Sequence, residues 1–250
     1  MAKAKSYKEL QLLNYEDFQV PLEIYHEWRQ SARVSLSKSK AIVRIPIMVA
    51  HSTKEEHLKW AKDWITKKLQ KDKSLVSHFN PKPYLNETIL EVRGTQFILY
   101  ISETDGRSSA SGRRKTNQIF IQLPSGLTPR IRQQTCVTVI HRIMSQAYIG
   151  HIRNRVNELN EKYFRKEINE IRLRNNTTNW GSCSTNKNIS ISSRLLLAPN
   201  FVLDYIIIHE LAHLVHHNHS ERYWKLVESV LPNYMEAEDW LKKFGSSCNW

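Results

Sequence analysis

Hydrophobic and polar residues alternate along RVSLSKSKAIVRIPIMV (Arg33–Val49) on both sides of a polar turn, the period of two that a β-hairpin requires. The period then lengthens. Leu58, Ala61, Ile65 and Leu69 mark one face of an amphipathic helix, with Thr53 and Glu56 at capping-box spacing before it and a Lys-rich face left to solvent. Pro81 and Pro83 close this unit. ILEVRGTQFILYISE and QIFIQLP predict further strands, and the Gly-, Ser- and Arg-rich DGRSSASGRRKTN between them reads as a mobile loop.

Beyond Thr128–Pro129, a helix start, the chain reads as helical to about Tyr163, with Ile140, Met144, Ala147 and His151 near one face. His141 and His151 lack ligand-like spacing and read as ordinary helix residues. EINEIRLRN predicts a strand. WGSCS and NISISSRLLL predict a hairpin around Thr185–Asn188, closed by Ala198–Pro199, and a helix follows from Asn200. Pro232 breaks the chain before a last helix, Glu236–Phe244. No internal repeat is visible. Strands crowd the first half and helices the second, which predicts an α+β architecture: an extension over 1–30, a β-rich part with an amphipathic helix over 31–127, and a helix-rich part over 128–250.

Composition narrows the class. Forty percent hydrophobic residues, with seven Trp, ten Tyr and seven Phe among 250 residues, argue for a folded globular protein. No run approaches the apolar length of a bilayer span, so no membrane partner is expected. The basic N-terminus has no apolar segment after it, which argues against a secretory signal. Cys136, Cys183 and Cys248 are odd in number and far apart, unlike a disulfide framework. The expected location is the cytoplasm. A net charge of +13 keeps a nucleotide or nucleic acid in view as a partner. Its carriers are dispersed, however, with Lys67, Lys68, Lys71 and Lys73 on one segment and Arg107, Arg113, Arg114 and Lys115 on another. No aromatic-interleaved motif accompanies them.

The chemistry concentrates in IIIHELAHLVHHNHSERYW (Ile206–Trp224), where five of the eleven histidines fall between His209 and His219. His209-Glu210-x-x-His213 sets two imidazoles about one helical turn apart, both able to reach one ion, with Glu210 beside them toward a water on that ion. The surrounding Ile206, Ile207, Ile208, Leu211, Ala212, Leu214 and Val215 make the helix apolar nearly all round, hence buried. Buried imidazoles and a carboxylate are costly unless a partner such as a divalent cation pairs them. A catalytic zinc usually takes three protein ligands and keeps one open position. Candidates for the third are His216, His217, His219 and a more distant acid, Glu236 or Glu238. His219, six residues past His213 at the interval of HExxHxxGxxH, is the favoured one, with Asn218 suited to the intervening turn. Zinc is the expected metal and hydrolysis the expected chemistry.

Four ordered segments, WGSCS (Trp180–Ser184), NISISSRLLLAP (Asn188–Pro199), DYIIIHELAHL (Asp204–Leu214) and NHSERYW (Asn218–Trp224), resemble the YgjP-like metallopeptidase family, relatives of the SprT-like zinc proteases. Weaker likeness reaches back to the hairpin near Arg33. The resemblance implies a C-terminal zincin-like catalytic part, Zn2+ held by His209, His213 and His219, and Glu210 as catalytic acid/base. It also implies that the strand before the active helix lines a cleft where an extended peptide adds by backbone pairing. Tyr223 stands where the family usually has Phe, and Asn179 where it usually has a basic residue. Trp180, Arg194 and Tyr223 are candidate substrate-binding residues, while Cys183 reads as a small packing residue. The leading expectation is a zinc metallopeptidase acting on a peptide or protein. A zinc-dependent nucleotide or phosphate-ester hydrolase and a DNA-associated protease of SprT-like type are the alternatives.

Overall fold

The computed structural model describes residues 5–16, 18–37, 39–79, 83–176 and 178–250. The chain forms two compact units, Met1–Lys82 and Pro83–Trp250. In the first, strands β1 (Tyr7–Tyr15) and β2 (Phe18–Glu27) form one hairpin, and β3 (Arg33–Leu36) and β4 (Ala41–Pro46) form a second. The sheet order is β1-β2-β4-β3, with β2 and β4 parallel at its centre. Alternation along β2 turns Val20, Leu22 and Ile24 to one face, where they join Ala41, Val43 and Ile45 of β4. Helix α1 (His51–Lys71) completes that core with Ala61, Ile65 and Leu69. Residues 1–30, expected as an extension, thus supply a central strand. The expected Thr53–Glu56 capping box does not form: Ala50 is the N-cap, which puts Thr53 inside the first turn. A short helix, α2 (Lys73–Phe79), follows. The expected break at Pro81 lies outside the described residues.

The second unit opens with β5 (Ile89–Val92), β6 (Thr95–Thr104), β7 (Ser111–Lys115) and β8 (Gln118–Pro124), ordered β5-β6-β8-β7 with β6 and β8 parallel. This repeats the topology of the first sheet: two hairpins, the second strand of each meeting at the centre, then a helix on one face. Topology repeats without a repeated sequence because each position requires only an alternating pattern. The Arg-rich stretch expected as a loop contains β7, which pairs Arg113 with Phe120 and Lys115 with Gln118. Helix α3 (Pro129–Leu159) starts as expected, with Thr128 Oγ1 accepting from the Ile131 N–H and Pro129 in the first turn. It packs so closely on β7 that a Cβ on Gly112 would collide with Val139 Cγ1 and stand 3.1 Å from the Phe120 carbonyl.

Phe97, Leu99, Ile119 and Ile121 share one core with Cys136, Val139, Ile140 and Ile143 of α3 and with the elements that follow, so the structure has no division at 127/128. The buried row of α3 runs through Cys136, Ile140 and Met144 and continues at Ile152, Val156 and Leu159, leaving His151 exposed. His141, by contrast, is buried and paired with the Ser193 hydroxyl. A π-helical turn (Asn160–Phe164) and Arg165 in the left-handed region (φ 52°) end the helix and lead to β9 (Glu170–Arg174). With β10 (Gly181–Cys183) and β11 (Asn188–Ser192) it makes a three-stranded sheet, β10-β11-β9, in which β10 is an edge. After a 3-10 turn (Ser193–Leu197) come α4 (Asn200–Ala212), α5 (Glu221–Val230) and α6 (Tyr234–Phe244). Arg155 ties α3 to α4, donating from both Nε and a terminal nitrogen to the Asp204 carboxylate at 2.7 and 2.6 Å. Among the described residues no helix is long and apolar enough to cross a membrane. The mixed α+β architecture is as expected.

Overpacking the α3–β7 contact gives a test of this arrangement. Gly112→Val should lower stability by about 1–3 kcal/mol, read as a fall in the thermal midpoint. An unchanged midpoint would show that α3 does not approach β7 this closely.

Candidate metal centre

Helix α4 is apolar almost all round, with Ile206, Ile207, Ile208, Leu211 and Ala212 buried, as a helix running through a core must be. Its last turn carries His209 and Glu210, and His213 caps it. The chain then reverses. The N–H groups of Val215 and His216 both reach the Ala212 carbonyl, and His213 Nδ1 donates to the His216 carbonyl at 3.1 Å. That bond fixes the His213 tautomer and leaves its Nε2 lone pair free. The reversal brings His219 back against the helix, its Nε2 3.2 Å from His209 Nε2. One ligand atom from each of His209, His213 and His219 lies within 4.8 Å of the others, a convergence found in this one group among the described residues. His217 stays exposed and His216 offers its carbonyl to His213, so both belong to the turn. Val215, expected within the buried helix, lies beyond its end and is exposed.

Tyr223 of α5 organises the cluster from behind. It is 0% exposed, its ring centroid lies 4.7–5.4 Å from those of all three histidines, and its hydroxyl donates to the His209 carbonyl at 3.0 Å. It is therefore buried against the three imidazoles. Burial, helped by the neighbouring imidazoles, pushes His209 down to about 4, and burial also lowers His213. Both are held neutral at pH 7, the state in which an imidazole binds a metal.

Glu210 is 4% exposed, and burial pushes its carboxyl up to about 8; a nearby cation would draw it back. Its side chain lies against Gly181 of β10, where a Cβ would stand 2.7 Å from Glu210 Cγ and closer still to the carboxylate. Glycine here is a space requirement of the acid. Cys183 is half-buried, its thiol pushed up to about 11 by burial and by Glu210, and it stands outside the histidine group.

An open cleft of about 500 Å³ lies in front, lined on one side by Asn179, Trp180 and Gly181 and on the other by Tyr205, His209, Glu210 and Glu238. Of the three candidate substrate-binding residues, Trp180 lines the cleft. Arg194 lies behind it, 6% exposed, with its guanidinium 3.9 Å from the Trp180 ring centroid. Gly245 leaves room for the same ring, since a Cβ there would meet Trp180 Cζ2 at 2.8 Å. Tyr205 donates to Glu238 Oε1 at 2.8 Å. Sequence reasoning missed Tyr205 and Gly181. Tyr205 sits four residues before His209, on the same helical face, a spacing that was there to be used.

A buried helix that turns a carboxylate and two histidines toward a third histidine beside an open cleft offers a ligand set for a metal ion. A family model described as the YgjP-like metallopeptidase domain matches residues 30–244, and the chain belongs to this family. Among solved structures, partial similarity extends to two metallopeptidase zymogens. Pyrococcus abyssi abylysin is 26% identical over 37% of this chain and 93% of its own, with a TM-score of 0.34. Methanocaldococcus jannaschii jannalysin is 22% identical over 37% and 94%, also with a TM-score of 0.34. No curated protein matches the chain.

Gly181→Ala tests the role given to that glycine. The new methyl group should displace the Glu210 side chain and slow peptide hydrolysis by about 100-fold, with bound metal and the circular-dichroism spectrum unchanged. Full activity would show that Glu210 does not depend on the space at Gly181.

Proposed function

We propose that the protein is a zinc-dependent metallopeptidase in which His209, His213 and His219 hold the ion and Glu210 is the general acid/base. The observation that carries this reading is the convergence of three imidazoles on one point, with a buried carboxylate beside them and open space in front. Three histidines and one free position are the ligand set of a catalytic zinc, whereas a structural site would be closed by four. Nitrogens sharing a tetrahedral zinc at about 2.0–2.1 Å stand about 3.3 Å apart, close to the 3.2 Å between His209 Nε2 and His219 Nε2.

When bound, the ion supplies Lewis acidity, making water a stronger acid and polarising the scissile carbonyl. Glu210, whose side chain lies against Gly181, would take the proton from the attacking water and deliver it to the departing amine. Trp180, braced by Arg194, forms a wall of the peptide site, and the free edge of β10 offers backbone groups for an extended substrate to pair with. Tyr205 and Glu238 form the opposite wall.

The cleft's charge favours a peptide over a phosphate ester. Glu210 and Glu238 line it, and Lys242, its one lysine or arginine among the described residues, is shared with Asp239 and Glu238 at 3.2 and 3.7 Å. Apart from the bound ion, the cleft's described residues offer a polyanionic substrate no cation that is not already shared with acids. Three free thiols suit a reducing compartment, and we place the protein in the cytoplasm.

The zinc-loaded protein and its Glu210→Gln variant, given unfolded protein, protein with DNA, and nucleoside triphosphates, decide between the readings. Peptide cleavage should fall by about 10²–10⁴-fold in the variant while zinc content stays the same. Phosphate release lost in the variant would overturn the peptidase assignment. His219→Ala should lose tightly bound zinc, and full retention, measured by metal analysis, would remove His219 from the ligand set.

A further inference from the structure

We propose that the second four-stranded sheet carries a binding face for single-stranded nucleic acid, with bases stacking on Tyr100 and Phe120 and the backbone met by Arg107, Arg113 and Lys115. Strand pairing creates this face. Tyr100 of β6 is in register with Phe120 of β8, and Phe120 with Arg113 of β7, so the three stand in one row across the sheet. The pleat puts them opposite the buried side, where Phe97, Leu99, Ile119 and Ile121 meet the core. The two rings stack with centroids 5.2 Å apart and planes 18° apart, and the Arg113 guanidinium stands 5.6 Å from the Phe120 centroid. They border a cavity of about 420 Å³ formed wholly by the second unit. Ser102, Gln122 and Ser111 form the next row, polar groups of the kind that meet base edges.

Charge identifies the occupant. The first sheet has the same topology and an aromatic–arginine pair across its two central strands, Arg44 lying 5.0 Å from the Tyr25 centroid. There Glu23 and Glu27, two residues either side of Tyr25, pair with Lys8, Lys40, Arg29 and Arg44. Ile98 and Ser102 stand at those positions around Tyr100. Among the described residues no carboxylate pairs with Arg113 or Lys115, and Arg107 donates to neutral acceptors: Gln122, Ser111 and the Ser109 carbonyl. Uncompensated cations beside stacked rings call for a ligand with anionic groups and flat π faces together. A single-stranded nucleic acid has both, whereas bases in a duplex already have their faces covered. An acidic peptide brings the charge without the rings' partner.

Fluorescence anisotropy on the full-length chain with labelled oligo(U) and oligo(dT) tests this, with duplex DNA and heparin as competitors. The single strands should bind, and both competitors should displace them poorly. Tyr100→Ala and Phe120→Ala should each weaken binding by about 5- to 100-fold, the worth of one base–aromatic stack, whereas Tyr100→Phe should bind like the parent. Arg113→Glu, on an exposed side chain that leaves the core intact, should weaken binding and flatten its salt dependence. Absence of binding at low salt would overturn the proposal. So would folded alanine variants that bind as the parent does, or heparin competing as well as a single strand. Binding is read without turnover, so its outcome is independent of the peptidase assay.

Discussion

Helix α4 must be buried, and almost everything else at the site answers to that requirement. Its apolar residues leave no face for solvent, yet its last turn carries an imidazole and a carboxylate that water would otherwise stabilise. Removing such groups from water costs several kcal/mol each if they stay charged and unpaired. The fold keeps His209 neutral, surrounds it with aromatic rings and gives its backbone carbonyl to Tyr223. Glu210 receives a cradle of the right shape at Gly181 and no charged partner among the described residues. Its desolvation remains open for a bound cation to offset.

The same constraint explains which histidines converge. A straight continuation of α4 would carry His216 onward along the axis, away from a point between His209 and His213. Ending the helix at Ala212 and reversing the chain makes His216 useful as a carbonyl, which orients His213, and returns His219 to the cluster. Helix α5 then locks the reversal, because its Tyr223 touches all three rings. Arg155 and Asp204 hold the other end of α4 to α3. The centre is positioned from both ends of one helix.

What could be read in advance follows from how local each signal is. The hairpin at Arg33–Pro46, the start of α3 at Thr128–Pro129, the β10–β11 pair and α4 each rest on periodicity or on residues adjacent in sequence, and the structure has them. The misses are non-local. β2 lies at the centre of its sheet because of its pairing with β4, a long-range partner that no pattern within residues 1–30 announces. β7 is polar and basic because it is an edge with one face toward solvent, so composition alone marks it as a loop. Trp180, Arg194 and Tyr223 were legible as residues near the site, but their division into cleft wall and support depends on burial: Arg194 stands behind the indole and Tyr223 behind the imidazoles. The repeated topology left no trace in sequence because a sheet position asks only for an inward or an outward side chain.

The distribution of charge within the second unit connects fold to function. A net charge of +13 invites the assumption that the active cleft is basic. Yet the cleft presents Glu210, Glu238 and uncharged groups, and its single lysine is shared with acids. Arg113 and Lys115 of β7, and Arg107 in the loop before it, belong to the sheet formed before α3, which contributes no residue to the cleft. On the proposed reading, a polyanion attracted by the net charge is drawn to that sheet rather than to the histidine cluster. That reading assigns long-range attraction and bond cleavage to different elements of one unit, and leaves the proposed cleft to select its substrate by backbone pairing and the Trp180 wall.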